Sequence, residues 1–138
     1  ITVAATVENI ETVTGFVNEQ LEAAHCPKKA QMQIDIAVDE ILSNIAHYAY
    51  TEKCGEATVR VELSENPKSA VLTFIDRGVP YDPLAQAEPD TTLSADEREI
   101  GGLGIFMVKK TMDEVTYEYK DGMNILKIRK NFEQFPKA

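Results

Sequence analysis

A chain of 138 residues with 43 % hydrophobic content and a formal charge of −9 is sized for one domain around one continuous core, because two halves of that length would each be hard to stabilise. The acidic balance, with Lys and Arg scattered along the chain, excludes the concentrated basic surface that nucleic acid requires. No run of about 18 apolar residues is available to span a membrane. An acidic surface suits a partner with a basic patch, and equally suits plain solubility.

The opening Ile1-Thr2-Val3-Ala4-Ala5 has neither the basic region nor the apolar stretch of a secretory signal, so a cytoplasmic location is expected. Ile1 to Ala5 reads as a short strand leading to Thr6, an N-cap residue. From Val7 to about Ala24, Val7, Ile10, Val13, Val17 and Leu21 recur at the spacing of one helical face. Pro27 separates this helix from a second, about Lys29 to Tyr50, with Ile34, Ala37, Val38, Ile41, Leu42 and Ile45 on its apolar side. Gly55 closes the segment. Val59, Val61 and Leu63 then alternate with polar residues as a strand does. Asn66-Pro67 marks a turn, and Ala70 to Ile75 reads as a more fully buried strand ending in Asp76-Arg77-Gly78.

Residues 79–100 hold three prolines and many acidic or small polar residues, which predicts a long loop of the kind usually kept for function. Gly101-Gly102-Leu103-Gly104 opens a helix through Met112. Glu114 to Lys120 and Met123 to Lys130 are strands joined by Asp121-Gly122, a strong hairpin signal. The order predicts an α+β, two-layer sandwich: three helices on one face of a mixed, largely antiparallel sheet.

Three segments carry chemistry. Glu40, Asn44 and Tyr48 follow one another at i, i+4 on the second helix and so share a stripe. A carboxylate beside an amide oxygen on a fixed helix can hold Mg²⁺ together with waters and substrate phosphates, or serve as a general base; the same pattern also describes the solvated edge of an amphipathic helix. Asp76, at a strand end, can accept a hydrogen bond from an exocyclic amine. Gly78 can admit a flat base close to the backbone, or simply complete an Asx turn. Gly101-Gly102-Leu103-Gly104 places backbone amides at a helix N-terminus, which suits a phosphate and also a hinge. No Gly-Lys-Ser/Thr follows, and no strand precedes, so neither the Walker loop nor the dinucleotide fingerprint fits.

Cys26 and Cys54 lack metal-ligand spacing, and His25 and His47 are the two histidines present. A zinc site would need all four to converge, so free thiols in a reducing compartment are expected.

In this order the motifs resemble the ATP-binding fold shared by gyrase B, Hsp90, histidine kinases and MutL. Within it the chain is similar to the small bacterial anti-sigma regulatory factors, which are serine/threonine protein kinases. The resemblance runs over 39–50 (DEILSNIAHYAY), 76–83 (DRGVPYDP), 98–106 (REIGGLGIF), Met112-Asp113-Glu114-Val115 and Gly122-Met123-Asn124. It implies one ATP-binding kinase-like domain over residues 1–138 with a nucleotide lid at about 84–100. Asn44 would ligate Mg²⁺, and Glu40 would be the base that activates a serine or threonine hydroxyl. Asp76 would bind the adenine amine, with Gly78 beside the ring and Asn124 near it. Gly102, Leu103 and Gly104 would lie along the phosphates. Tyr48 stands on the nucleotide side where many relatives carry His, and Pro80 stands where histidine kinases have a second glycine. The partners implied are ATP and an anti-anti-sigma-type protein, with room for a sigma factor and a homodimer. A nucleotide-gated binding module without phosphoryl transfer, or an ATP hydrolase in which Glu40 orients water, would use the same residues.

Overall fold

The computed structural model describes residues 1–50, 55–65, 68–85 and 102–132. In chain order these form β1 (Thr2–Ala4), a 3-10 turn (Val7–Asn9), α1 (Ile10–Ala23), α2 (Lys28–Asn44), a π-helical turn (Ile45–Ala49), β2 (Glu56–Glu65), β3 (Lys68–Asp76), a 3-10 turn (Pro83–Ala85), α3 (Gly102–Thr111), β4 (Glu114–Lys120) and β5 (Met123–Asn131). The strands make one five-stranded sheet in the order β1-β2-β3-β5-β4. Every pairing among the described residues is antiparallel, so the expected mixed character gives way to a wholly antiparallel sheet. The reason is local: β2–β3 and β4–β5 are hairpins, and a sheet assembled from such units has no parallel crossover to make.

Alternation sorts the sheet into two faces. Val59, Leu72, Phe74 and Ile128 point inward and are essentially sealed from solvent, where they meet Val13, Val17 and Leu21 of α1 and Ile34, Val38 and Ile41 of α2. Val108 and Met112 bring α3 into the same core. The helical and strand periods read from the sequence thus converge on one apolar layer. The opposite face carries Arg60, Glu62, Lys127 and Arg129, all exposed or half-exposed, with an ion pair from Arg129 to Glu114 at 3.5 Å.

Two helix ends differ from expectation. Thr6 makes no side-chain cap, and the chain turns through the 3-10 segment before α1 begins. α2 is α-helical only to Asn44, and the last turn widens into the π form. Between α1 and α2 the backbone reverses at His25, which takes φ 58°. Cys26 N–H donates to Leu21 O at 3.0 Å and His25 N–H to Glu22 O at 3.1 Å, the paired bonds that close a helix C-terminus. Cys26 is a buried free thiol, pushed up to about 11 mainly by burial and further by the nearby Asp35 carboxylate; Cys54 lies outside the described residues. Asp121 and Gly122 take φ 55° and 77°, the backbone that a two-residue hairpin of this sequence requires. Among the described residues no helix is long and apolar enough to cross a membrane.

Candidate active site

The C-terminal end of β3, the end of α2, the first turns of α3 and the start of β5 meet around a cleft. Asn44, Tyr48, Asp76 and Asn124 all line it, as do Tyr81, Tyr117, Val79 and Ile105. The walls are largely apolar and the polar groups few, which suits a flat heterocycle with one or two directional contacts.

Asp76 and Asn124 face each other across the β3–β5 register. Asp76 is 6 % exposed and Asn124 also 6 %. Asn124 Nδ2 donates to Asp76 Oδ1 at 2.9 Å and to Val79 O at 2.9 Å, while its Oδ1 accepts from Tyr81 N–H at 3.1 Å and from the Tyr117 hydroxyl. The amide thereby spends its capacity inside the protein. Its place is beside the adenine position that the resemblance implies, yet its bonds fix the Asp76 turn. Asp76 Oδ1 also accepts from Gly78 N–H at 2.9 Å, so one carboxylate oxygen anchors the turn. No hydrogen bond among the described residues engages Oδ2. Burial raises the Tyr117 hydroxyl above its ordinary value, an effect partly offset by its bond to the Tyr81 backbone and reinforced by Asp82 and Asp76.

Gly78 completes the Asx turn on Asp76 and also meets the end of the α2 segment. A Cβ there would run into the backbone carbonyl of Ala49 in the π turn, and the next residue, Val79, donates its N–H to that carbonyl at 2.8 Å. The glycine lets the β3 end and the end of the α2 segment touch. Gly78→Ala is therefore expected to lower stability by roughly 1–3 kcal/mol, because backbone must move to relieve the overlap. Thermal unfolding followed by circular dichroism checks this; an unchanged midpoint would show the contact to be dispensable.

Glu40 stands outside the cleft lining, one turn before Asn44. It is half-buried, and its Oε1 has no hydrogen-bond partner. Burial raises its carboxyl above the ordinary value; the Asn44 side chain lowers it again by hydrogen bonding, and Asp39 adds a smaller upward push. Across from it, a Cβ on Gly104 would occupy the Glu40 carboxylate itself. The absence of a side chain at 104 is what lets the first turns of α3 close over this carboxylate. Here the obstructed atoms are the free end of a flexible side chain, so Gly104→Ala is expected to cost little stability. It should instead displace Glu40, and an error of about 1 Å in a reacting group costs on the order of 10²-fold in rate. Measuring melting and activity on the same sample tests the split.

Tyr48 is 41 % exposed at the cleft mouth, with its ring centroid 6.2 Å from that of Tyr81. The widened turn carries it there. π-helical turns are rare and concentrate at functional sites. Gly102 opens α3, and Leu103 follows in the same turn. Lys109 and Lys110 occupy the last turn of α3, about 10 Å along the helix from its start, so they do not approach the phosphate end. The lid expected at 84–100 reaches the described residues only at Leu84 and Ala85; Arg98 lies outside them.

Tyr117 lies in none of the sequence motifs and Tyr81 falls within 76–83 with no role read for it, although each contributes to the cleft wall. Isolated tyrosines on a loop and an edge strand carry no periodic signal, and only the tertiary fold brings them to Asn124.

An antiparallel sheet covered on one side by helices, with Asn44 and Asp76 across one cleft and Glu40 beside Gly104, is the arrangement that the resemblance to an ATP-binding fold implies. Residues 3–130 match the family described as Histidine kinase-like ATPase domain. The chain belongs to that family. Among its relatives is the serine/threonine-protein kinase BtrW of Bordetella bronchiseptica, 28 % identical over 98 residues, covering 71 % of this chain and 68 % of that protein. The serine-protein kinase RsbW of Listeria monocytogenes is 26 % identical over 125 residues, covering 87 % of this chain and 72 % of the relative. A histidine kinase domain from the blue-light activated histidine kinase of Erythrobacter litoralis superposes with a TM-score of 0.54 at 15 % identity, over 77 % of this chain and 46 % of the other. That likeness is one of fold.

Proposed function

We propose that the chain is an ATP-dependent serine/threonine protein kinase that acts as an anti-sigma regulatory factor on an anti-anti-sigma-type protein. The observation that carries the reading is the Glu40 carboxylate, raised by burial, with Oε1 free of partners, one turn from Asn44 and pressed against Gly104. Asp76, held by Asn124 and Gly78, would take the adenine amine, and Tyr48 and Tyr81 would flank the ring. The amide oxygen of Asn44 at the cleft edge fits Mg²⁺ as its protein ligand; when bound, the ion would supply neutralisation of phosphate charge. Glu40 would accept the proton of the attacking hydroxyl as that oxygen bonds to the γ-phosphorus and the bond from phosphorus to the β–γ bridging oxygen breaks. The amides of Gly102, Leu103 and Gly104 would meet phosphate at the positive end of α3. The domain would act in the cytoplasm, with residues 84–100 closing over nucleotide.

The reading is tested by titration calorimetry with ATP, with and without Mg²⁺, beside Asn44→Ala, followed by transfer of labelled γ-phosphate to a purified anti-anti-sigma-type protein. Mg²⁺- and Asn44-dependent binding with labelled product supports the kinase. Nucleotide-dependent partner binding without product would replace it with a gated binding module, and partner-independent phosphate release with a hydrolase. No ATP binding would overturn the nucleotide site itself.

A further inference from the structure

The seam between α2 and α3 carries a surface that nucleotide binding leaves unexplained. α2 rises toward the cleft, where Asn44 meets the Asp76 end of the sheet. α3 starts beside Glu40 and ends at Thr111, whose carbonyl accepts from Lys130 Nζ at 2.7 Å. Lys130 pairs with Ala70, toward the other end of β3. The two helices pack together and so run antiparallel. One turn down from the Glu40–Gly104 contact, Ile36 on α2 and Met107 on α3 flank the seam. Ile36 is 57 % exposed, Met107 46 %, and Met32, a further turn along α2, 58 %. A single exposed apolar side chain is ordinary; three on adjoining turns of two packed helices form a patch.

The seam ends in charge. Lys28 and Lys29 begin α2, whose first turn has no acidic residue, and Lys109 and Lys110 close α3. Antiparallel packing puts both ends on the side of the molecule away from the cleft, and with them four of the 14 Lys and Arg of a chain of net charge −9. The lysines of α3 suit the negative end of a helix, but Lys28 and Lys29 sit at a positive end, where carboxylates are favoured. Local stability does not explain them, and such departures from helix rules concentrate at functional positions. From Lys28 to Val38 the sole acidic residue of α2 is Asp35, half-buried beside Asn18 and Glu22 of α1, and the exposed Asp39 follows. α3 has none.

We infer that this seam, with Met32, Ile36 and Met107 bordered by Lys28, Lys29 and Lys110, docks an acidic, partly apolar face of the protein whose hydroxyl Glu40 serves. The inference rests on the kinase reading. Charge selects the occupant, since Lys28, Lys29 and Lys110 are the charged groups that the two helix ends set around the apolar patch. A second copy seated here about a two-fold axis would set the lysines of one seam against those of the other. Position selects it as well, because the patch leads along both helices to Glu40.

The test compares wild type with Lys28→Glu/Lys29→Glu and with Met107→Ser, using a purified anti-anti-sigma-type protein as phosphoacceptor. Each variant should raise KM for that protein about tenfold or more, with kcat, ATP affinity and melting unchanged, and the charge variant should also lose most of the salt dependence of KM. KM values within about twofold of wild type, set against that expected tenfold rise, would overturn the docking surface. If wild type binds the acceptor without phosphorylating it, the kinase reading fails, and the dissociation constants of the same variants decide the surface. If wild type does not bind it at all, or if the variants change the oligomeric state in light scattering instead, the inference is overturned.

Discussion

Glu40→Gln is expected to leave Mg-ATP affinity within about twofold of wild type while lowering phosphoryl transfer to the protein acceptor by roughly 10²–10⁴-fold, the range lost when a positioned general base is removed. The substitution keeps size and shape and removes only the capacity to take a proton. The environment of Glu40 makes a second, independent expectation. Burial raises its folded-state carboxyl above the ordinary value of 4.5, so between that value and the raised one the folded protein binds more protons than the unfolded chain. Stability then falls as pH rises through this window. Glu40→Gln, which has no charge to desolvate, is expected to melt above wild type at pH 7 to 8, and the two should converge in acid once Glu40 is protonated. Activity should rise with pH through the same window and level off above it. A variant with wild-type transfer rate would remove Glu40 as the base; one that melts lower at neutral pH would mean that the unpartnered oxygen is not a source of strain.

The pairing of lost activity with gained stability is the usual mark of a group held for chemistry in a setting that does not suit it. Gly104 belongs to the same arrangement. Its missing side chain makes room for a carboxylate that the core has no use for, and so it belongs with Glu40 although the two are far apart in sequence.

The sequence patterns that proved most legible are those with a strong period. Val13, Val17 and Leu21 on α1 and Ile34, Val38 and Ile41 on α2 lie on the buried faces that their spacing predicts, and Asp121-Gly122 makes the hairpin turn it announces. The stripe from Glu40 to Asn44 survives intact because both lie in regular α-helix. Tyr48 follows a change to π geometry, which no pattern of apolar residues marks. The all-antiparallel sheet was legible only in part: alternation identifies strands, but their order depends on which hairpins lie side by side. Asp76-x-Gly78 reads as a place for a flat base or an Asx turn, and the turn is there; the contact of Gly78 with the Ala49 backbone joins two segments and is one that sequence spacing cannot express. Asn124 was marked through a resemblance, and its hydrogen bonds explain physically why an amide suits the position. It needs two donors for Asp76 and Val79 and an acceptor for Tyr81 and Tyr117, which neither a carboxylate nor a hydroxyl supplies.

That requirement predicts a large effect from a change outside the reacting groups. Asn124→Leu removes both donors and the acceptor at once, leaving Val79 O without the bond at 2.9 Å and Asp76 Oδ1 with only Gly78 N–H. With unmet buried polar groups costing about 1–3 kcal/mol apiece, a loss of roughly 3 kcal/mol is expected. In a chain of 138 residues this corresponds to a midpoint lower by roughly 10 °C. ATP affinity should fall by at least about tenfold, because the Asp76 turn loses its fixed geometry, and recognition of an exocyclic amine depends on geometry. Asn124→Asp separates loss of packing from loss of donors. It keeps the volume but sets a second carboxylate against Asp76, so the pair would hold a proton to higher pH than either group would alone. Its folded form therefore gains protons relative to the unfolded chain, and its stability should recover as pH falls and decline as pH rises. Thermal melts of both variants between about pH 5 and pH 8, the interval in which a raised carboxyl of this kind titrates, decide the matter. A pH-independent loss in Asn124→Asp equal to that in Asn124→Leu would assign the position to packing alone, and near-wild-type melting of both would show that Asp76 is held by Gly78 and the strand without help from the amide.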